Sequence, residues 1–201
     1  QLRALADAGA THVAMDVSSH ALDQRRLDGV RMRVAAFCNL SRDHLDYHGT
    51  MERYALAKQR LFRLPGLEHA VINVGDPVGA PFAAALGPGV ELTAVAVGGD
   101  SPHAPCFVHV IRVASSDGGL ELDIRGHFGA RRLRSRLIGS FNAENMAVAL
   151  AVLLAWQCGI DDALAALGEC TAPPGRMEGY RMPGGALAVV DYAHTPDALA
   201  K

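Results

Sequence analysis

The sequence lacks the features of several specialised protein classes. Its 201 residues contain no C-x-x-C pair, and the four cysteines (Cys38, Cys106, Cys158 and Cys170) are scattered. This spacing argues against a zinc or disulfide framework and favours a reduced, cytoplasmic compartment. The formal net charge of -2 gives no reason to expect a polyanionic partner. We therefore expect no nucleic-acid partner.

Long apolar runs and a phosphate-binding glycine motif are also missing. The longest apolar run, 146–156, is too short to span a bilayer, and no signal peptide is present. We therefore expect no membrane insertion. The G-x-x-x-x-G-K-[ST] pattern of a P-loop is absent. The chain opens inside one predicted helix and stops inside another, which indicates a fragment of a longer protein.

The sequence does contain the alternation of strands and helices that is typical of a globular α/β protein. Half of its residues are hydrophobic, which is enough for a sizeable core. Apolar runs alternate with helical segments in the first half, which predicts a mostly parallel, doubly wound sheet. The predicted strands are 11–18, 34–40, 69–74 and 92–98, and the predicted helices are 2–8, 19–27, 50–64 and 76–86.

The pattern changes in the second half of the chain. Short alternating runs with glycine turns over 106–138 predict a small antiparallel sheet. A long buried helix is predicted over 140–159, with Ser140 as its N-cap and Gly159 as its stop. The remaining predicted segments are a helix at 161–168, a linker at 171–176, a strand at 186–194 and the start of a helix at 195–201.

A lysine lies on the apolar side of a predicted helix. Lys58 follows Met51 by seven residues and precedes Phe62 by four, so the three share one stripe. Loss of hydration would lower the pKa of this lysine, and its neutral amine could then take up carbon dioxide as a carbamate. A carbamate is an anionic oxygen ligand for a hard cation. A lysine that extends its ammonium group to solvent fits the same spacing.

Two aspartates and two histidines crowd into the six residues from Asp43 to His48, just before that helix. Asp43, His44, Asp46 and His48 suit metal ligands, acid–base groups or a polar turn before a helix. Imidazole suits Zn²⁺ or Mn²⁺ better than Mg²⁺.

Further polar residues follow predicted strands or begin predicted helices, where ligands gather in such sheets. Their hydroxyl, amide, guanidinium and carboxylate groups suit anionic ligands and nucleotides. Ordinary helix capping and solvated helix faces account for the same pattern. These residues are Asp16, Ser18, Gln24, Arg26, Asn142, Asn145, Arg176, Asp191 and His194.

Together these segments resemble the Mur ligases, the ATP-dependent amide-bond synthetases of peptidoglycan assembly. The matching blocks, in the family's order, are SSHALDQRR, NLSRDHLDYHGTMERYALAK, GSFNAENMAVAL, GRMEGY and VVDYAHTPDAL. The resemblance implies a central ATP-binding domain over 1–172 that lacks its P-loop part. It also implies, over 173–201, a linker with the first strand and helix of a Rossmann-like C-terminal domain.

The resemblance also implies roles for the candidate residues. Lys58, as a carbamate, would hold one Mg²⁺, and His44 and Asp16 would help to hold another. The family usually has Glu where this chain has Asp16. Ser18, Gln24 and Arg26 would bind the UDP-MurNAc-dipeptide. The residues implied for ATP are Asn142, Asn145, Arg176, Asp191 and His194, and those implied for catalysis are Lys58, His44 and Arg176.

The blocks look like those of the family member that adds the third amino acid of the stem peptide. That reaction joins meso-diaminopimelate or L-lysine to UDP-MurNAc-L-Ala-D-Glu through an acyl phosphate. We expect a cytoplasmic monomer in full length and an inactive isolated fragment. Three alternatives stay open. They are another Mur-type ligase or folylpolyglutamate synthetase, a non-catalytic nucleotide- or sugar-binding module, and a zinc hydrolase built on residues 43–48.

Overall fold

The centre of the protein is a six-stranded sheet whose strands lie in chain order, β1 to β6. A computed structural model of the chain describes residues 2–116, 118–194 and 199. The six strands are β1 (Val34–Phe37), β2 (His69–Asn73), β3 (Glu91–Val97), β4 (Cys106–Ser116), β5 (Gly119–Gly126) and β6 (Gly129–Ser135).

The sheet is parallel in its first part and antiparallel in its second. Strands β1 to β4 pair in parallel, and β4, β5 and β6 pair in antiparallel. The predicted mostly parallel sheet with an antiparallel addition is confirmed. The addition continues the same sheet, because the 11-residue β4 pairs with β3 over its first five residues and with β5 over most of its length.

Helices cover both faces of this sheet, as a doubly wound arrangement requires. A 3₁₀ turn (Arg60–Arg63) prolongs the helix that carries Lys58. The helices are α1 (Leu2–Asp7), α2 (Ser19–Asp23), α3 (Leu45–His48), α4 (Met51–Gln59), α5 (Gly79–Ala84), α6 (Asn142–Ala155) and α7 (Ile160–Glu169).

The two faces of the sheet carry separate apolar cores. On one face, Leu150 of α6 packs in the cluster that contains Val71, and both side chains are fully buried. On the other face, Phe82 of α5 lies with its ring centroid 4.9 Å from that of Phe37, and Phe62 joins the same cluster. Each fully buried large side chain contributes about 1.5–3 kcal/mol of transfer free energy. Apolar burial on two sides therefore fixes the sheet as a central layer.

Residues 11–18 form no strand in the structure, so the prediction of a buried strand there is wrong. Val13 and Met15 are 39% and 44% exposed. A strand needs a neighbour that pairs with its backbone groups, and β1 is the edge of the sheet on this side, paired only with β2 in the described part of the chain. We call the space between residues 13–17 and residues 34–39 the β1 groove.

The ends of α6 also differ from the prediction. The helix begins at Asn142, with Phe141 rather than Ser140 in the N-cap position. It ends at Ala155 instead of continuing to Gly159, because Gln157 adopts a left-handed conformation (φ 62°). The Cys158 amide then donates to the Leu153 carbonyl at 3.1 Å, which closes the helix end.

The last part of the described chain is a small hairpin. Strands β7 (Glu178–Arg181) and β8 (Leu187–Val190) pair in antiparallel and form a separate sheet. Strand β8 lies within the predicted strand 186–194. The helix predicted over 195–201 lies outside the described residues apart from Leu199. Within the described residues, every helix is too short or too polar to cross a membrane.

Candidate active site

A cavity of about 600 Å³ lies between the start of α6 and residues 172–194. We call it the nucleotide cavity. All five residues predicted to face ATP line it, although they come from three separate parts of the chain. They are Asn142, Asn145, Arg176, Asp191 and His194. The structure therefore assembles this set from residues up to 52 positions apart in the sequence.

The α6 wall of the nucleotide cavity presents two ordered amides. Asn142 Nδ2 donates to the Ile138 carbonyl at 2.7 Å, and Asn145 Nδ2 donates to Asn142 Oδ1 at 2.9 Å. These bonds hold both side chains at the first turn of a 14-residue helix. The unpaired amides at a helix start favour anions. This wall therefore combines fixed amide groups with a positive electrostatic field.

The opposite wall combines a cation, an aromatic ring and a carboxylate. The guanidinium carbon of Arg176 lies 5.2 Å from the centroid of the Tyr192 ring. The Asp191 carboxylate accepts from the Met177 amide at 2.9 Å and from the Ala193 amide at 2.7 Å. Asp191 therefore ties the linker to the end of β8. Tyr192 was not among the predicted site residues. Its position directly after Asp191, which was predicted to face ATP, could have indicated that it lines the same site.

Lys58 lies at one end of the β1 groove, a cavity of about 470 Å³ that Asp16 and Asn39 also line. Burial lowers the pKa of Lys58, against the opposing effect of nearby Cys38 and Asp16. Its Nζ atom is 5.3 Å from the Tyr54 ring centroid. This half-buried position favours the interpretation in which a neutral amine is available over the one in which the ammonium group extends to solvent.

Two more aspartates raise the pKa of Lys58 through their negative charge. Asp43 and Asp76 both favour its charged form electrostatically. Asp76 accepts from the Leu40 amide at 2.9 Å and from the Val78 amide at 2.8 Å, so it joins the loops that follow β1 and β2. Asp76 was not among the predicted site residues. Its position shortly after the predicted strand 69–74 was the signal that could have found it.

His44 directly precedes α3. It has a left-handed backbone (φ 53°), and its Nδ1 is 3.5 Å from Asp43 Oδ1. Its ring centroid is 6.0 Å from that of Tyr54, the ring that Lys58 approaches. His44 is not among the residues that line the β1 groove. Asp43, in contrast, lines the nucleotide cavity and also raises the pKa of Lys58 electrostatically, so it is connected to both sites.

The protein groups near Lys58 suit a magnesium site that is completed by a ligand. In the described residues, no three His, Cys, Asp or Glu side chains are grouped closely enough to hold a metal ion. Mg²⁺ is usually bound by one or two carboxylates together with waters and substrate phosphates. Asp16 and a carbamate on Lys58 would provide such a pair of oxygen ligands.

The residues predicted to bind the UDP-MurNAc-dipeptide are only partly brought together. Ser18 caps α2, where its Oγ accepts from the Ala21 amide at 3.1 Å. Gln24 follows the other end of the helix, roughly 9 Å away at 1.5 Å per residue. The Arg26 guanidinium donates to Gln24 Oε1, and Gln24 Nε2 donates to the Tyr47 hydroxyl at 3.3 Å. Gln24 and Arg26 thus form one polar group, and Ser18 is separate from it.

The other residues of the 43–48 cluster have structural partners or face solvent. His48 is buried, and its Nε2 lies 2.9 Å from Ser19 Oγ. Its ring stacks on Tyr54 with centroids 5.1 Å apart. Burial, followed by the neighbouring His20, lowers the pKa of His48, which favours the neutral imidazole. His48 therefore joins α2, α3 and α4, while Asp46 is exposed.

Comparison with known families and structures identifies relatives of this chain. Residues 1–153 match the family model described as the Mur ligase middle domain. The chain is 47% identical over 193 residues to the UDP-N-acetylmuramoyl-L-alanyl-D-glutamate–2,6-diaminopimelate ligase of Neisseria meningitidis serogroup A, covering 96% of this chain and 39% of that protein. It is 44% identical to the ligase of the same name from Pseudomonas putida, covering 100% of this chain and 41% of that protein.

Solved structures give the same result for the fold. A structure of a UDP-N-acetylmuramoyl-L-alanyl-D-glutamate–2,6-diaminopimelate ligase superposes with a TM-score of 0.82 at 35% identity, over 98% of this chain and 40% of that chain. A Mycobacterium tuberculosis folylpolyglutamate synthase, solved with ADP and AMPPCP, gives 0.62 at 26% identity over 82% of this chain and 37% of that chain. The chain spans about two fifths of the length of the curated relatives it matches.

Proposed function

The chain belongs to the Mur ligase family, and we propose that it forms the central part of an ATP-dependent ligase of peptidoglycan synthesis. The proposed reaction joins 2,6-diaminopimelate to UDP-MurNAc-L-Ala-D-Glu. The observation that carries the proposal is the convergence of Asn142, Asn145, Arg176, Asp191 and His194 on one cavity beside Lys58. In this proposal residues 1–172 belong to the central domain, and residues 173–201 are the linker and the start of the C-terminal domain.

The nucleotide cavity suits ATP in shape and charge. The amides at the start of α6 and the Arg176 guanidinium would bind phosphate oxygens or the base through charge-assisted and amide hydrogen bonds. Tyr192 holds the Arg176 side chain in place by a cation–π contact. Asp191 joins Met177, directly before β7, to the segment that follows β8 through backbone amides. Residues from the linker and from α6 would therefore meet on one nucleotide.

Lys58, as its carbamate, and Asp16 would hold Mg²⁺ at the boundary of the two cavities, with His44 as an additional candidate ligand. When bound, Mg²⁺ would neutralise charge on phosphoryl oxygens in the transition state. The protein's own contribution is a site from which water is partly excluded. There, burial keeps the Lys58 amine available for carbamate formation.

The chemistry that this site supports is a two-step ligation. A carboxylate oxygen of D-glutamate attacks the γ-phosphorus of ATP, ADP leaves, and an acyl phosphate forms. The amine of diaminopimelate then attacks the acyl carbon, and inorganic phosphate leaves with the carboxylate oxygen. Ser18, together with Gln24 and Arg26, would bind the UDP-MurNAc-dipeptide at two points along α2. We propose that this reaction takes place in the cytoplasm, where ATP is available, and that the enzyme acts as a monomer.

The relatives support diaminopimelate over lysine as the incoming amino acid. The curated relatives that match at 41–47% identity are named 2,6-diaminopimelate ligases. The family resemblance alone left L-lysine open as the incoming amino acid. Folylpolyglutamate synthesis is less well supported, because that structural match is weaker in both TM-score and identity. The zinc-hydrolase alternative has no grouped ligand set in the described residues.

A ligation assay on the protein encoded by the complete gene tests the proposal. Purified enzyme, ATP and UDP-MurNAc-L-Ala-D-Glu are mixed with meso-diaminopimelate, L-lysine or L-glutamate, and amide products are followed by mass spectrometry. We expect a product, with one ADP per amide bond, for meso-diaminopimelate. A product only with L-lysine would move the proposal to the lysine-adding enzyme. A parallel reaction replaces the UDP-linked substrate with a folate and supplies L-glutamate. Glutamate addition to the folate, with no product from the UDP-linked substrate, would overturn the proposal.

A further inference from the structure

The ring of Tyr47 on α3 is held in place by two imidazole rings. Its centroid lies 4.3 Å from that of His20 on α2 and 4.8 Å from that of His48 on α3. His48 is itself buried, and its Nε2 lies 2.9 Å from Ser19 Oγ on α2. The Tyr47 ring is therefore fixed at the contact of α2 and α3, although the residue is 42% exposed. Its hydroxyl group has a defined position at the protein surface.

The Tyr47 hydroxyl contacts the two consecutive residues at the end of α2. It donates to Asp23 Oδ2 at 3.0 Å and accepts from Gln24 Nε2 at 3.3 Å. The other carboxylate oxygen of Asp23 accepts from Arg60 at 2.9 Å, which fixes the carboxylate from a second side. Ser19 and Asp23 are four positions apart, so they share the face of α2 that contacts α3. The two helices are thus joined at two points, one through His48 and one through Tyr47.

The chemistry of these groups allows one direction for each hydrogen bond. A carboxylate only accepts, so the single hydroxyl proton of Tyr47 goes to Asp23. The Tyr47 oxygen then accepts, and the Gln24 side chain turns its NH₂ group toward it. The remaining Gln24 oxygen, Oε1, accepts from the Arg26 guanidinium, a group that only donates. Tyr47 and Asp23 therefore determine which end of the Gln24 amide faces Arg26.

Gln24 and Arg26 are poorly ordered by packing, so these hydrogen bonds matter for their positions. Both residues are exposed. Gln24 is the C-cap of α2, and Arg25 after it has a left-handed backbone (φ 56°), so no further helical turn supports them. Long exposed side chains lose rotamer entropy when a ligand orders them, and this loss weakens binding. A hydrogen bond that orders Gln24 before the ligand arrives reduces that loss.

We propose that Tyr47 is a positioning residue for the UDP-MurNAc-dipeptide and acts through the Gln24 amide on the Arg26 guanidinium. The inference rests on the proposed function, in which Gln24 and Arg26 bind that substrate. The bond to Gln24 uses Nη2 of Arg26, and the other N–H groups of the guanidinium suit a carboxylate or phosphate of the substrate. Loss of the Tyr47 hydroxyl releases Gln24, and Arg26 then loses its fixed acceptor.

Tyr47→Phe in the protein encoded by the complete gene tests this role. The phenyl ring keeps the packing against His20 and His48, so we expect a melting temperature near that of wild type. We expect the KM for UDP-MurNAc-L-Ala-D-Glu to rise about 5- to 10-fold, as for one lost neutral hydrogen bond, while kcat and the KM for ATP stay within about twofold. Tyr180→Phe on β7 is the matched control and should leave all three values near wild type. An unchanged KM for the UDP-linked substrate in Tyr47→Phe would overturn the inference, and so would an equal loss in all three values.

A double-mutant cycle with Gln24→Ala separates positioning from direct contact with the substrate. If Tyr47 acts through Gln24, adding Tyr47→Phe to Gln24→Ala should change the KM by less than about twofold. Effects of the two substitutions that multiply would show that Tyr47 acts independently of Gln24 and would overturn the inference, while leaving the proposed ligase reaction in place. A wild-type enzyme that forms no amide product would instead overturn the proposed function, and the inference with it.

Discussion

At the scale of single residues, the proposal depends most on Lys58. Burial lowers the pKa of its amine, and only the unprotonated amine can take up carbon dioxide. The chain contains two lysines, Lys58 and Lys201. A ¹³C-labelled carbamate on the purified chain could therefore lie only on Lys58, Lys201 or the α-amino group, and Lys58→Ala identifies the Lys58 signal. As the pH falls through the lowered pKa of Lys58, the amine is protonated and the carbamate signal should disappear.

Replacement of Lys58 should abolish ligation by the complete enzyme. Lys58→Ala removes an oxygen ligand near the phosphoryl group, and we expect a rate loss of at least about 100-fold. Short-chain carboxylic acids that mimic the carbamate should restore part of the rate. Gln59→Ala, at the next position on α4, is the matched control and should remain near wild type. Ligation at the wild-type rate by Lys58→Ala would exclude a role in holding the metal.

Arg176 is the residue through which the linker would reach the nucleotide. Arg176→Ala should weaken binding of a non-hydrolysable ATP analogue by roughly 10-fold or more, because a charged hydrogen-bond partner is lost. Isothermal titration of the complete protein measures this change. Arg131→Ala on β6, an arginine that pairs with Asp161, removes the same charge away from the cavity. Equal affinities for the two variants would count against the nucleotide assignment.

Sequence patterns predicted most of the candidate site residues but not the residues that contact them. Asn142, Asn145 and Arg176 could be predicted because helix starts and linkers carry recognisable side chains. Their convergence could not be predicted, since it depends on how the linker packs against α6. Asp76 acts on Lys58 from the loop that follows β2. This role comes from a contact between elements, which spacing along the chain does not encode.

At the scale of elements, the outer face of the antiparallel strands is stabilised by a network of charges. Asp123 of β5 accepts from Arg112 at 2.6 Å and from Arg132 at 2.8 Å, and Glu121 accepts from Arg134 at 2.8 Å. Hydrogen bonds from Arg112 and Arg132 hold the pKa of Asp123 below its ordinary value. The three strands are thus tied by ion pairs as well as by their backbone ladder.

The charge network predicts that the stability of the fold depends on pH in a definite direction. Because the folded-state pKa of Asp123 is depressed, its stabilisation is present above the ordinary aspartate pKa and is lost as the pH falls through the depressed value. Asp123→Asn should therefore lower the melting temperature at neutral pH and have no effect in strong acid. Asp100→Asn, in an exposed loop, makes the same charge change as a control. A pH-independent difference between wild type and Asp123→Asn would contradict the assignment.

Helix α6 carries the core of one sheet face. Leu150 is fully buried, whereas Leu153 is only half-buried. Leu150→Ala should cost about 2–5 kcal/mol of unfolding free energy, through lost transfer energy and the cavity left behind. Leu153→Ala should cost clearly less. Denaturant unfolding of both variants measures the difference, and equal losses would mean that α6 does not face the sheet as described.

The sequence predicted strands correctly where a neighbouring strand of the same chain pairs with them. Strands β2 and β3 lie within one residue of the predicted bounds. The predicted helix 50–64 corresponds to α4 together with the 3₁₀ turn that follows it. Residues 11–18 have the same apolar pattern but find no neighbour, so the pattern alone did not produce a strand. The ends of α6 depend on one left-handed residue, Gln157. Hydrophobic periodicity does not predict which residue adopts a left-handed conformation.

At the scale of the whole molecule, the chain has two apolar surfaces that are open to solvent. The β1 groove is lined by apolar side chains such as Phe62 and Val152. The β7–β8 hairpin exposes apolar side chains on both strands, among them Tyr180, Val189 and Val190. Both surfaces agree with a chain that spans about two fifths of its relatives. The nucleotide cavity lies between the central sheet and this hairpin, so it would be shaped by how the two parts meet.

The central claim is that the complete protein forms an amide bond through an acyl phosphate made from ATP. The most direct measurement uses UDP-MurNAc-L-Ala-D-Glu with ¹⁸O in the glutamate carboxylates, together with ATP and meso-diaminopimelate. Mass spectrometry then reads both the tripeptide product and the released phosphate. We predict one ¹⁸O atom in each phosphate and one phosphate for each amide bond. Unlabelled phosphate, or ATP hydrolysis without an amide product, would contradict the account.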